Sequence, residues 1–313
     1  MRHRLEYLLV KALIAIARVM PMPLVEPTGA ALGLTFFVFD RAHRRVAGRN
    51  LAAAFPTRSR AERRRLVRGT FAHFGRLLFA LLKFSTLSPA AMLARVEFEG
   101  EEQVRQAYAQ GKGVLFVTGH FGYWELQAMV HALRLPPMAV LARTLDNPAL
   151  NVLLEQMRTR TGNTVVYRQG AMRQVVKLLK AGHGVGILID QHIQGRDAIY
   201  VDFFGRQAAT TPAVAALALR TGAPVVPLFA LPLGGGRYRM VYEHPVEPPL
   251  PGTADPLHLF TQRCTDVLEM YVRRHPELWL WMHRRWRDAG EPGGAGRSMF
   301  PAADHEDPPT DEV

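Results

Sequence analysis

From about residue 100 the chain alternates short apolar runs with amphipathic stretches, and this pattern restricts the possible folds more than any other feature. GVLFVT, MAVLAR, TVVYR, GVGILID and PVVPLFAL each read as a strand bounded by Gly, Pro or Asn. YWELQAMVHALRL, NPALNVLLEQMRTRTG, AMRQVVKLLKAG and TPAVAALALRTG lie between or beside them with helical spacing. Strand-helix alternation predicts an α/β fold, a mixed and mostly parallel sheet flanked by helices. PVVPLFALPLGGGRYRMVYEHPV adds an antiparallel hairpin with its turn at Gly234-Gly235-Gly236, and residues 254–275 a further amphipathic helix. Ligands of such sheets sit beyond the carboxyl ends of the strands.

The front of the chain is different. Residues 1–70 hold 14 Lys/Arg against 4 Asp/Glu, the greater part of a net charge of +12. A basic end on a nearly neutral body implies a polyanionic partner, nucleic acid or anionic lipid. The arginines are not interleaved with base-stacking aromatics and no zinc, helix-turn-helix or RNP signature is present, which argues against nucleic acid. LEYLLVKALIAIARVMPMPLV is apolar but broken by Lys11 and Arg18, and GAALGLTFFVF runs into the basic DRAHRRVAGRN. Apolar helices flanked by arginines predict a segment held in an anionic membrane surface, at a cytoplasmic leaflet. Two soluble core helices with a solvated basic face are the plainer alternative. The chain thus divides into a basic, helical, membrane-associated region (1–90), an α/β domain (91–287) and a Gly-, Pro- and Asp-rich tail (288–313) expected to be disordered.

Three His-x4-Asp/Glu patterns occur: His120…Glu125, His192…Asp197 and His283…Asp288. With 12 histidines and 27 acidic residues, about one is expected by chance, so context must separate them. His120 follows the strand GVLFVT across Thr118-Gly119, and Glu125 falls in the first turn of the next helix. His192 also follows a strand, but Asp197 lies in a Gly-containing loop, and His283 adjoins the tail. His120 is therefore the candidate base, with Glu125 to fix its tautomer and favour its charged form. A helix-capping interaction is the structural alternative for the pair.

The chemistry open to such a base is narrowed by what is missing. None of the four serines lies in a Gly-x-Ser-x-Gly elbow, and no His-Glu-x-x-His cluster or Walker loop is present. The single cysteine, Cys264, shares a helical face with Leu257, Phe260, Val267, Leu268 and Tyr271 and reads as core. A base without a protein nucleophile suits activation of a substrate hydroxyl toward an acyl group that arrives already activated.

TGHFGYWEL resembles the His-x4-Asp/Glu block of the glycerolipid acyltransferase superfamily, and most closely its lipid A biosynthesis (lauroyl/myristoyl) acyltransferase branch. The likeness continues in order: NLAAAFP near residue 50, Arg143 with Asp146-Asn147-Pro148, Asp190-Gln191, FFGRQAATT (203–211) and HPELWLWMHRRW (275–286). It covers roughly residues 1–287. Tyr123 stands where many relatives have Asn.

The resemblance implies an O-acyltransferase in which His120 and Glu125 are catalytic and no cofactor is needed. The donor is an acyl carrier protein or CoA thioester, the acceptor a phosphorylated glycolipid, and the place the cytoplasmic face of an inner membrane. The same transfer onto a lysophospholipid or a glycolipid mannoside is the alternative, with a non-enzymatic basic protein that binds anionic lipid or nucleic acid behind it. Arg143, Asn147, Asp190, Gln191, Gly205, Arg206 and Thr210 are the candidate substrate-binding residues. Arg143 is a bidentate phosphate or carboxylate ligand, or else a surface partner of Asp146. Asp190 closes the most apolar strand and needs a partner, for which Arg143 is a candidate. In FFGRQAATTPAV, Thr210 or Thr211 suits an N-cap with Pro212 at the first helical position. Gly205, Arg206 and that helix N-terminus would together attract a phosphate. His283, among tryptophans and arginines, is not read as catalytic.

Overall fold

The computed structural model describes residues 2–167, 170–194 and 198–287, so the tail and Asp197 lie outside the described residues. Four helices lead: α1 (Arg2–Val19), α2 (Met22–Phe39), α3 (Arg41–Ala54) and α4 (Arg60–Phe84). Then come α5 (Pro89–Leu93), β1 (Val96–Glu99), α6 (Glu101–Ala109), β2 (Val114–Thr118), α7 (Trp124–Arg134) and β3 (Met138–Ala142). α8 (Pro148–Thr159), β4 (Thr164–Tyr167), α9 (Ala171–Lys180) and β5 (Gly184–Leu188) follow. The last elements are β6 (Ile199–Asp202), β7 (Gln207–Thr210), α10 (Ala213–Thr221), β8 (Val225–Gly234), β9 (Arg237–Tyr242), α11 (Pro256–Arg274) and a 3-10 turn, Pro276–Leu278.

Seven strands form one sheet in the order β1-β9-β8-β2-β5-β3-β4, parallel throughout except for β8 against β9. The mixed, mostly parallel sheet is the architecture the alternation implied. β2 lies centrally and every one of its residues is buried, which is why GVLFVT reads as an unbroken apolar run. Its pairing with β5 sets Thr118 opposite Leu188. The hairpin closes as expected: Gly234 pairs with Arg237, and Gly235 and Gly236 turn the chain at φ of 63° and 71°. Two features differ from the sequence reading. β1 adds an edge strand, and FFGRQAATT does not run straight into a helix: Gly205 and Arg206 turn between β6 and β7, a separate two-stranded ribbon.

The leading helices are not of one kind. α3 and α4 place Leu51, Val67 and Phe71 in the same apolar cluster as Leu115 and Val117 of the sheet. α2 lies along α4 with backbones nearly touching. A Cβ on Gly33 would meet the Phe71 carbonyl at 2.0 Å, and one on Gly75 the Gly29 carbonyl at 2.0 Å. α2 is the one helix among the described residues long and apolar enough to cross a membrane, with mean hydropathy 1.4 and 17% of its residues buried. α1 docks Leu13, Ile14 and Ala17 on Leu82, Leu153 and Met157, while Leu5, Leu8, Leu9, Ile16 and Val19 stay exposed. Lys83 Nζ donates to the carbonyls of Arg18 and Met20 and so caps the end of α1.

Candidate active site

His120 and Asp190 each lie two residues beyond the paired strand ends Thr118 and Leu188, so the β2–β5 register alone puts them side by side. The His120 backbone N–H donates to Asp190 Oδ2 at 2.7 Å, and His120 Nδ1 lies 2.8 Å from Oδ1. Trp279 Nε1 donates to Oδ2 at 2.8 Å. An ionised carboxylate only accepts, so Nδ1 carries the proton and the Nε2 lone pair faces outward. The Asp190 side chain is 2% exposed and that of His120 18%, enough for a ligand to reach the ring. Burial acts to raise the Asp190 carboxyl, but the His120 ring and the three donated hydrogen bonds override it and hold the group down at about 2. Gln191 stands at the outer nitrogen, its Nε2 donating to His120 Nε2 at 3.3 Å.

The loop that carries His120 is pinned on both sides. Gly122 N–H donates to the Leu278 carbonyl, Tyr123 N–H to Ala230, and Leu280 N–H to the His120 carbonyl. Gly122 has φ of 58° and a Cβ there would meet the Ala230 carbonyl at 2.1 Å, so no other residue fits. From beneath, His73 of α4 hydrogen-bonds the Gly122 carbonyl through Nε2 at 3.2 Å and stacks on Tyr123 at 5.8 Å. Burial pushes the His73 imidazole down to about 3, so it is a neutral donor there. The Tyr123 hydroxyl donates to Glu26 of α2 at 3.4 Å, and the Gly236 N–H donates to the same oxygen at 3.1 Å. The Trp124 ring leans on His120 at 5.3 Å.

Glu125 does not touch His120 Nδ1. It is held by Arg158 of α8 through two hydrogen bonds of 3.0 and 2.6 Å, both side chains being 17% exposed. Burial acts to raise its carboxyl, and the Arg158 guanidinium outweighs burial, so Glu125 is held below the ordinary carboxylate range. The tautomer-fixing role expected of Glu125 therefore belongs to Asp190. The reason is topological: neighbouring parallel strands bring Asp190 closer to Nδ1 than one helical turn brings Glu125.

The other sequence candidates separate. Arg143 pairs with Asp146 at 3.4 Å on an exposed surface and is not the partner of Asp190. Asn147 caps α8 by accepting from Ala149 and Leu150, and its Nδ2 donates to the His3 carbonyl and to Glu6, so its amide is engaged by α1. Thr210 is the last residue of β7 rather than an N-cap, and its hydroxyl takes a hydrogen bond from the buried Arg285, which also reaches the Ala209 carbonyl. Thr211 instead accepts from the Ala213 N–H, and Pro212 precedes α10. Gly205 turns at φ of 71° with its N–H on Asp202, and Arg206 lies over the Trp286 ring at 5.4 Å. β7 lies between Gly205-Arg206 and the start of α10, so the segment does not run straight from the turn into the helix.

Residues that sequence reasoning missed are Trp279, Arg158 and His73, each far along the chain from what it contacts. His283 is partly buried and accepts from the His192 N–H at 2.9 Å, a structural role. Cys264 is buried and its thiol is pushed up to about 12 by that burial, which makes it a poor nucleophile. No group of three or more His, Cys, Asp or Glu suited to a metal ion occurs among the described residues.

A model of the bacterial lipid A biosynthesis acyltransferases matches residues 1–288. The lipid A biosynthesis lauroyltransferase of Escherichia coli K12 is 30% identical over 276 residues, covering 87% of this chain and 88% of that protein. The myristoyltransferase of the same organism is 28% identical over 259 residues, 82% and 79% of the two chains. A phosphatidylinositol mannoside acyltransferase of Mycobacterium tuberculosis is 25% identical over 220 residues, 69% and 68%. A match that runs through the four leading helices, the His120 loop and the Trp279 segment leaves no part of the site outside it, and the chain belongs to the bacterial lipid A biosynthesis acyltransferase family.

Proposed function

We propose that this acyltransferase moves a fatty acyl chain from a carrier thioester to a hydroxyl of a lipid A precursor, with His120 as general base. The observation that carries this reading is the His120–Asp190 pair, which leaves the Nε2 lone pair outward at the carboxyl end of the central strand. The acceptor hydroxyl displaces the Gln191 amide from Nε2, and its proton passes to that nitrogen as the oxygen attacks the thioester carbonyl. The tetrahedral intermediate then collapses with cleavage of the C–S bond. The leaving sulfur takes the proton back from the imidazolium, giving an ester and the free carrier thiol. Asp190 stabilises the imidazolium formed between the two steps, and Glu125, locked by Arg158, adds a fixed negative charge nearby.

The donor is acyl carrier protein or CoA, and the acceptor a phosphorylated glycolipid. The exposed apolar faces of α1 and α2 support attachment to the inner membrane at its cytoplasmic face. Family membership displaces the non-enzymatic reading, while the mannoside acyltransferase among the relatives keeps a glycolipid mannoside as a second acceptor class.

The test is transfer of labelled acyl groups from acyl carrier protein to a lipid A precursor, a lysophospholipid and a phosphatidylinositol mannoside. His120→Ala, folded and attached to membranes, should lose at least about 100-fold in rate. Activity within a few-fold of wild type removes His120 from the role of base.

A further inference from the structure

Behind the catalytic loop, α3 and the first turns of α4 enclose a groove of about 440 Å³. Arg44, Arg60, Arg63 and Arg64 rim it, and Phe37 and Val67 contribute to its apolar lining. Nothing in the transfer chemistry uses this groove.

Residues 40–68 carry ten arginines and two carboxylates, Asp40 and Glu62. Both carboxylates are engaged elsewhere: Asp40 accepts from the His43 backbone and ring, and Glu62 accepts from the Ser59 N–H in a capping box. No described carboxylate lies within ion-pair distance of the four rim arginines. Arg44 donates through one Nη to the carbonyls of Phe37 and Val38, and Arg63 through one Nη to those of Phe55 and Pro56. Those contacts fix the two guanidinium groups and leave their remaining N–H donors for another acceptor. Arg60 and Arg64 have no partner among the described residues. Four cations around a small apolar concavity are costly to hold together without an anion between them, and guanidinium matches phosphate in bidentate fashion.

Phe37 identifies the kind of anion. It belongs to α2, and its neighbours Phe36, Val38 and Phe39 are 52%, 58% and 79% exposed. The groove is thus continuous with the bare apolar end of the helix best suited to enter a bilayer. A carrier protein would need a flat contact of roughly 800 Å² and would leave that apolar end in water. A single lipid fills a concavity of this size and lays its tails on the apolar end. We infer that the groove between α3 and α4 binds the phosphate headgroup of an anionic bilayer phospholipid, its acyl chains lying against the exposed end of α2. The inference rests on the membrane attachment proposed above but not on the transfer reaction.

The experiment is sedimentation of the full chain with phosphatidylcholine vesicles, with and without phosphatidylglycerol. Two triple variants are compared with wild type: Arg60→Gln/Arg63→Gln/Arg64→Gln in the groove, and Arg41→Gln/Arg45→Gln/Arg65→Gln outside it. Both remove three charges, and melting curves establish that both fold. Wild type should bind the anionic vesicles at least about tenfold more tightly than the neutral ones. The groove variant should lose that preference and still bind neutral vesicles as wild type does, while the outside variant keeps most of it. Equal losses in the two variants would mean diffuse charge attraction and overturn the site. So would a groove variant with unchanged vesicle binding but a raised KM for acyl carrier protein or for the acceptor. Wild type that sediments with neither vesicle overturns membrane attachment itself, a result distinct from any loss of transfer activity.

Discussion

His120 Nδ1 is held by a carboxylate seventy residues away and not by the glutamate five residues on. Asp190→Asn keeps the size of that side chain but removes its charge and allows the amide to present a donor to Nδ1. The tautomer that exposes the Nε2 lone pair is then lost. Steady-state transfer should fall in kcat by about 10² to 10⁴ with little change in KM, and a change confined to KM would mean that Asp190 binds substrate instead. Glu125→Gln has a different signature. It leaves Arg158 largely buried without a counter-charge, at a cost of about 3 kcal/mol, so the melting temperature should drop. Replacing Arg158 by Met in the same chain should restore much of that loss without restoring full activity. Gln191→Ala should leave the fold unchanged and alter the rate, because its amide contacts His120 Nε2, the nitrogen proposed as the base.

Among elements, the α2–α4 contact is the most exacting. Gly33→Leu forces a side chain into the Phe71 carbonyl, so α2 must move off α4. The expected loss is about 1 to 3 kcal/mol of stability, with a further loss of activity because Glu26 no longer reaches Tyr123 and the Gly235-Gly236 turn. Gly48→Ala in α3 is the counter-case: its Cβ meets nothing within 4 Å, and the helix should gain about 0.5 to 1 kcal/mol in a denaturant titration. The elements themselves were largely legible in the sequence, because strands buried on both faces carry unbroken apolar runs and helices carry their spacing. The order in which those strands lie beside one another is not a local property. GVLFVT and GVGILID each announce a strand, and each is followed two residues after its paired end by a chemical group, His120 or Asp190. Only the adjacency of β2 and β5 joins the two, and reasoning along the chain reached for Glu125 because it was near in number. The β6–β7 ribbon escaped for another reason: strands of four residues are too short for alternation to stand out from a capped loop.

On the scale of the whole molecule, two buried histidines and a partly buried third make stability depend on pH. Burial pushes His73 down to about 3, His131 to about 4 and His283 to about 3, so each is neutral in the folded chain near pH 5. The unfolded chain titrates its histidines near 6.5 and therefore binds more protons below that value. Stability is fully present above pH ~6.5 and falls as the pH drops toward 4, by about 1 to 2 kcal/mol per histidine between pH 7 and pH 5. Calorimetry at pH 7 and pH 5 should show a melting temperature several degrees lower in acid, and equal values would mean that these rings are solvated. The strap through Trp279 has a consequence in time. A ribosome has already made β2 and β5, their loops and every α-helix of the described residues before it adds the indole that closes on Asp190. The nascent chain therefore emerges with the Asp190 carboxylate still lacking one of its three donors, and that last hydrogen bond forms only once residue 279 has been made.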